Sequence, residues 1–172
     1  QVLISVAMPG GRTLHARVWV AQVGRVPLLL LDSDVELNES GERDVTDKLY
    51  GGGGEHRLRQ EMLLGIGGVR AVRAYCRITG LPEPEVFHTN EGHAGFLGIE
   101  RISELISHCG RTWEAALQAI RASTVFTTHT PVPAGHDRFD ALMIEEHLGP
   151  LRDQLGISAE HLMSLGRVHP DD

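Results

Sequence analysis

Apolar and polar positions alternate along the first third of the chain. Leu14, Ala16, Val18 and Val20 are separated by Thr13, His15, Arg17 and Trp19, the period of a strand with one buried face. Residues 2–7 and 26–31 flank this run and are rich in β-branched and aliphatic side chains, the composition of strands. Pro9-Gly10-Gly11 and Val23-Gly24-Arg25 lie between the three runs as turn signals. The pattern predicts an antiparallel three-stranded meander over 1–32. A polar loop region over 33–54 follows, with a short helical turn near 45–50.

The period then lengthens. Leu58, Met62, Ile66, Val69, Val72 and Cys76 step by three or four, which puts them on one stripe of a long helix over 55–78. Gly80-Leu81-Pro82 ends it. Residues 86–88 read as a short buried strand, 92–107 as a helix, and 113–122 as a second helix capped by Thr112. Residues 124–128 read as another strand. Strand, helices, strand is a crossover connection, so these two strands should be parallel. Two further helical stretches follow, over 141–148 and 158–165, with Ser158 as a cap. The sequence shows no internal repeat and no second boundary. The expected organisation is therefore an α/β chain forming one partial domain over 1–172, its α/β part spanning 55–172.

Charge and cysteine usage narrow the partners. Sixteen basic residues stand against 23 acidic ones, for a formal net charge of −7, which argues against a nucleic-acid footprint. The only unbroken aliphatic run, Leu28 to Leu31, falls far short of the roughly 20 residues of a membrane helix. Cys76 and Cys109 lie far apart without CxxC spacing. That gives neither a disulfide framework nor a zinc pattern, and fits a reducing, cytoplasmic compartment. The chain starts with Gln1 inside an expected strand, shows no signal peptide and ends at Pro170-Asp171-Asp172. It is expected to be an internal piece of something longer.

Ligands of open parallel sheets bind beyond the carboxyl ends of the strands. After the first expected parallel strand come His88, Thr89, Asn90, Glu91, Gly92 and His93. After the second come Thr127, Thr128, His129, Thr130, Pro131, Val132, Pro133, Ala134, Gly135, His136 and Asp137. Both segments offer donors and acceptors together, which suits a neutral polyol. A phosphate site would favour Arg, Lys or a glycine-rich strand-to-helix turn, and neither polar segment has one. His88, Glu91 and His93 lack HExxH spacing, so metal binding is the weaker reading. Gly65-Ile66-Gly67-Gly68 sits on an amphipathic stripe rather than after a strand, which favours helix packing over dinucleotide binding. Arg57-Leu58-Arg59-Gln60-Glu61 is expected to be charge on a solvated helix face.

These segments resemble the α-glucan phosphorylases (glycogen, starch and maltodextrin phosphorylases), especially their shorter bacterial branch. The resemblance rests on Arg17-Val18-Trp19 through Pro27, Asp47-Lys48-Leu49-Tyr50-Gly51-Gly52, Arg57-Leu58-Arg59-Gln60-Glu61, Asn90-Glu91-Gly92-His93-Ala94 and Phe126-Thr127-Thr128-His129-Thr130-Pro131-Val132-Pro133-Ala134-Gly135. It implies a fold of two Rossmann-like domains of GT-B type facing a cleft, with this chain inside the first. It also implies cleavage of α-1,4-glucans by inorganic phosphate, releasing glucose 1-phosphate with retained configuration. Pyridoxal phosphate would sit on a lysine of the second domain, and the parent would be a homo-oligomer.

The resemblance assigns roles residue by residue. His129 matches a catalytic-site histidine that contacts the sugar's C6 hydroxyl. Glu91 and His93 match residues beside the anomeric carbon, and Gly135 a small residue on the same wall. Asn90 and Thr130 complete the substrate-binding set. Glu91 departs from the animal enzymes, which carry Asp within Asn-Asp-Thr-His. The motifs for the cofactor lysine and the phosphate loop are missing from these 172 residues, so the isolated chain is expected to be inactive. The alternatives are a stand-alone carbohydrate-binding module and a metal hydrolase built on His88, Glu91, His93 and His129.

Overall fold

A computed structural model describes residues 2–49, 52–91, 95–132, 137–167 and 169. His93 and Gly135, two of the expected site residues, lie outside the described residues. Strands β1 (Val2–Ala7), β2 (Thr13–Val23) and β3 (Val26–Asp32) form the expected antiparallel meander in the order β1-β2-β3. Ile4 lies opposite Ala16 and Val6 opposite Leu14. All four are buried, because period-two alternation sends them to one face, where helices cover them. That cover thins further along β2. Val20 has the inward phase of the pattern yet is 53% exposed, and Trp19, Leu28 and Leu30 on the opposite face are exposed too.

The helical turn expected near 45–50 falls earlier. Helix α1 (Ser40–Arg43) runs into a 3₁₀ turn at Asp44–Thr46. Buried Ser33 draws the turn to this place. Its N–H donates to Thr46 Oγ1 at 3.0 Å, and its hydroxyl donates to the Arg43 carbonyl at 2.9 Å.

The long helix is one helical run in three parts, α2 (Gly54–Met62), a π segment (Leu63–Gly67) and α3 (Gly68–Thr79). Leu58, Met62, Ile66, Val69 and Cys76 are buried along its stripe. A π turn widens the helix by one residue, and the residues here are small enough to let two elements approach it. A Cβ at Gly65 would stand 2.8 Å from the Leu97 nitrogen, and one at Gly67 would stand 3.0 Å from Ile4 Cδ1. Gly65 and Gly67 are therefore a packing device between the meander and the next helix. Gly80, at φ 72°, ends the run in the left-handed conformation.

Strand β4 (Phe87–Asn90), helices α4 (Phe96–Cys109) and α5 (Trp113–Ala122) and strand β5 (Thr124–Thr127) form the crossover. The two strands pair in parallel, from Phe87 opposite Thr124 to Asn90 opposite Thr127. Thr112 caps α5 as expected, its hydroxyl accepting the Ala115 N–H at 3.3 Å. Arg101 of α4 straps the beginnings of both strands. Its guanidinium lies 4.1 Å from the Phe87 ring centroid and donates to Thr124 Oγ1 at 2.9 Å and Ser123 Oγ at 2.8 Å. The amino ends of the pair are thus held by α4, and the carboxyl ends point to the polar loops.

Helix α6 (Ala141–Leu155) continues past Gly149 and Pro150, beyond the span read from sequence. Leu148 and Leu155 are buried in the shared core and Leu151 packs against it. That burial outweighs the backbone hydrogen bond lost at Pro150. Helix α7 (Ala159–Ser164) is capped by Ser158, which accepts the His161 N–H at 3.1 Å. One cluster of buried residues joins the meander to α2, α4, α5, α6 and α7, from Ile4 to Leu162.

Candidate functional site

The parallel register sets the site. Asn90 closes β4 directly opposite Thr127, which closes β5, so the residues after each strand emerge side by side. The ladder runs one step further, with the Glu91 N–H donating to the Thr127 carbonyl at 2.9 Å. The Glu91 side chain then turns across to the β5 loop. Its carboxylate accepts the His129 N–H at 3.2 Å, the Thr130 N–H at 3.1 and 2.9 Å, and the Thr128 hydroxyl. A carboxylate receiving several donors is stabilised as the anion. The Thr128 and Thr130 side chains lower the Glu91 pKa most, with the backbone N–H groups adding to them, and the carboxyl is held down to about 2. Glu91 is therefore an ionised clasp between the two strand ends, not a proton donor near neutral pH.

The His129 ring is exposed, with Nε2 3.3 Å from Asn90 Oδ1. An amide oxygen only accepts, so the contact suits the tautomer with its proton on Nε2, in which Nδ1 is an acceptor. His88 Nε2 lies 2.6 Å from Thr127 Oγ1, so the histidine one residue from the Thr89-Asn90 end is used in cross-strand pairing. Asn90, Glu91, His129 and Thr130 lie together beyond the two strand ends. Among the described residues, no group of three or more His, Cys, Asp or Glu side chains is arranged to hold a metal ion. No helix among them is long and apolar enough to cross a membrane.

Two charged residues of α2, Arg57 and Glu61, pack differently from the sequence reading. Arg57 Nη2 on α2 donates to Asp137 Oδ2 at 2.9 Å, where the β5 loop leads towards α6. Arg57 and Glu61 are not on a solvated face, contrary to expectation. Their side chains are 12% and 6% exposed, and the Arg57 guanidinium donates to Gln60 as well as to Asp137. The single signal available was the dense pairing of Arg57, Gln60 and Glu61 at helical spacing.

A separate cleft of about 670 Å³ opens between β1, α3 and α4. None of Asn90, Glu91, His129 or Thr130 lines it. Four of its charges are paired across the helices, Arg70 with Glu100 at 2.6 Å and Arg73 with Glu104 at 2.9 Å. These pairs brace α3 against α4.

No protein-family model matches the chain. It is 57% identical to the glycogen phosphorylase of Mycobacterium tuberculosis, over 96% of this chain and 20% of that protein. It is 41% identical to the maltodextrin phosphorylase of Thermococcus litoralis, over 91% of this chain and 18% of that protein. It is 34% identical to the glycogen phosphorylase of Aquifex aeolicus, over 90% of this chain and 21% of that protein. The chain thus spans about a fifth of the length of the relatives it matches. Over nearly all of its own length, then, this chain is a homologue of one segment of the glycogen and maltodextrin phosphorylases.

Proposed function

We propose that the chain is the glucose-holding part of the first, Rossmann-like domain of an α-1,4-glucan phosphorylase. The parent enzyme would split glycogen, starch or maltodextrin with inorganic phosphate and release glucose 1-phosphate. The observation that carries this reading is the convergence of Asn90-Glu91 and Thr128-His129-Thr130 beyond the ends of two parallel strands. A hexose needs donors and acceptors in close alternation, and this edge supplies both.

Each residue then has a task. The Asn90 oxygen orients the His129 ring and leaves Nδ1 to accept a sugar hydroxyl proton. Glu91 fixes the backbone of 128–130 and keeps a permanent negative charge there. Glycosyl transfer develops positive charge on the sugar ring, so a fixed anion beside it favours the transition state. Thr130 lies on the same loop, its N–H committed to Glu91. His93 and Gly135 complete the set by resemblance.

Pyridoxal phosphate does not fit the residues of this chain. Lys48 is the one lysine. It is exposed in the segment before α2, where its backbone carbonyl accepts from Gln60 Nε2 at 2.9 Å. Neither 88–91 nor 126–132 contains Arg or Lys to balance a phosphate. The cofactor and the reacting phosphate are accordingly assigned to polypeptide beyond these residues. The isolated chain is expected to be inactive, and the parent to be a cytoplasmic homo-oligomer.

Expression of the full reading frame with pyridoxal phosphate tests the reading. Glucose 1-phosphate release from maltodextrin and phosphate is the expected result. A folded, cofactor-loaded protein that releases none would overturn it.

A further inference from the structure

We propose that the far half of the β2–β3 hairpin is an arm that docks against an apolar surface of the phosphorylase polypeptide outside these residues. The proposal rests on the phosphorylase reading above and names the partner of a face that this chain leaves open.

The strand register sorts the outward side chains. Leu3 and Asp32 flank Arg17, Leu30 lies opposite Trp19, Leu28 opposite Ala21 and Val26 opposite Val23. Side chains alternate between the two faces of a strand, so these residues share the face turned away from buried Leu14 and Ala16. One end of that face is polar, with Thr13 and His15 on β2 and Ser5 opposite His15. Beyond Arg17 and Asp32 it is apolar at every position up to the turn. Trp19, Val23, Val26, Leu28 and Leu30 are between 47% and 61% exposed there. An antiparallel sheet with one wet face alternates apolar and polar residues. Val18-Trp19-Val20-Ala21 and Val26-Pro27-Leu28-Leu29-Leu30-Leu31 are instead apolar on both faces, the pattern of strands covered on both sides. A contiguous apolar patch of this kind marks an interaction surface.

Trp19 is built as the anchor of that surface. Its indole N–H donates to Asp32 Oδ2 at 3.0 Å, and the Arg17 guanidinium lies 5.4 Å from its ring centroid. Arg17 Nη1 in turn lies 3.7 Å from Asp32 Oδ2. The ring is thus held in place while half exposed. Its one polar atom already has a partner within the arm, so an apolar surface can cover it without orphaning a donor. A side chain fixed before contact loses little entropy on docking, and Trp is enriched among the residues that dominate interfaces. Arg17 and Asp32 supply the polar rim.

The occupant follows from what lies outside this chain. The helices packed on the meander meet the other face, at Ile4, Val6, Leu14 and Ala16. The Mycobacterium tuberculosis relative is 57% identical over 96% of this chain, yet the match takes up only 20% of its length. Most of such a polypeptide therefore lies outside the match. It is tied covalently to the arm, so docking on it avoids the loss of translational freedom that a second copy would incur.

Hydroxyl-radical footprinting of the unmodified full-length enzyme, read by mass spectrometry, tests the arm. Trp19, Leu28 and Leu30 are expected to oxidise at least about tenfold more slowly in the folded enzyme than in urea. Slowing of only about twofold at Trp19, the level that its 52% exposure would give by itself, would overturn the proposal. So would shielding that disappears on dilution to the monomer, which would give the face to a second copy. Turnover of the same sample separates the two readings. Shielded side chains in a folded, cofactor-loaded enzyme that releases no glucose 1-phosphate would support the arm and sink the phosphorylase reading. Unshielded side chains in an active enzyme would sink the arm alone.

Discussion

Both oxygens of the Glu91 carboxylate accept the backbone N–H of Thr130, at 3.1 and 2.9 Å. A side chain at the end of one parallel strand thereby shapes the loop after its neighbour. The same contact keeps Glu91 ionised, and this gives the chain an acid-sensitive joint.

The sign of that sensitivity follows from the direction of the shift. Glu91 is held at about 2, below its ordinary 4.5. Its contribution to stability is complete above about pH 4.5 and is lost as the pH falls through about 2. Glu91→Gln is expected to be less stable than the unmodified protein at neutral pH, with the gap closing on acidification over that window. Urea midpoints across the range check this, and a gap independent of pH would contradict it.

Gly65→Ala is expected to destabilise by about 1–3 kcal/mol, since its Cβ must displace the backbone at the start of α4. Gly68→Ala meets nothing within 4 Å and should be neutral or gain up to about 1 kcal/mol from helix propensity. Equal urea midpoints for the two variants would refute the packing role of the glycine cluster.

Two caps can be tested separately. Thr112 accepts from Ala115 at the start of α5, and Asp140 accepts the Leu142 N–H at 2.8 Å at the start of α6. Alanine at either position is expected to cost about 1 kcal/mol in denaturant unfolding. The costs should add in the double variant, because the two sites share no partner.

Much of this was legible in the sequence. The meander followed from period-two alternation, and the parallel pair from strand, helices, strand. Thr112 and Ser158 were readable as caps because their oxygens serve local N–H groups. Two things were not legible. The π segment depends on how closely α4 and β1 approach Gly65 and Gly67, which is tertiary information. Burial of Arg57 and Glu61 depends on a partner 80 residues from Arg57 along the chain, so local periodicity read them as solvated. Helix α6 outran its pattern for a similar reason, because core contacts of Leu151 and Leu155 override Gly149 and Pro150.

The most direct measurement is turnover of the full-length enzyme carrying His129→Ala, with its melting temperature recorded alongside. The exposed ring is oriented by Asn90 and does not support the core, so the melt should be unchanged. Loss of a hydrogen bond to bound sugar should lower kcat/KM for glucose 1-phosphate release by at least about tenfold. A variant that melts like the unmodified enzyme and turns over glucan at the same rate would contradict the assignment of this strand edge to the glucose.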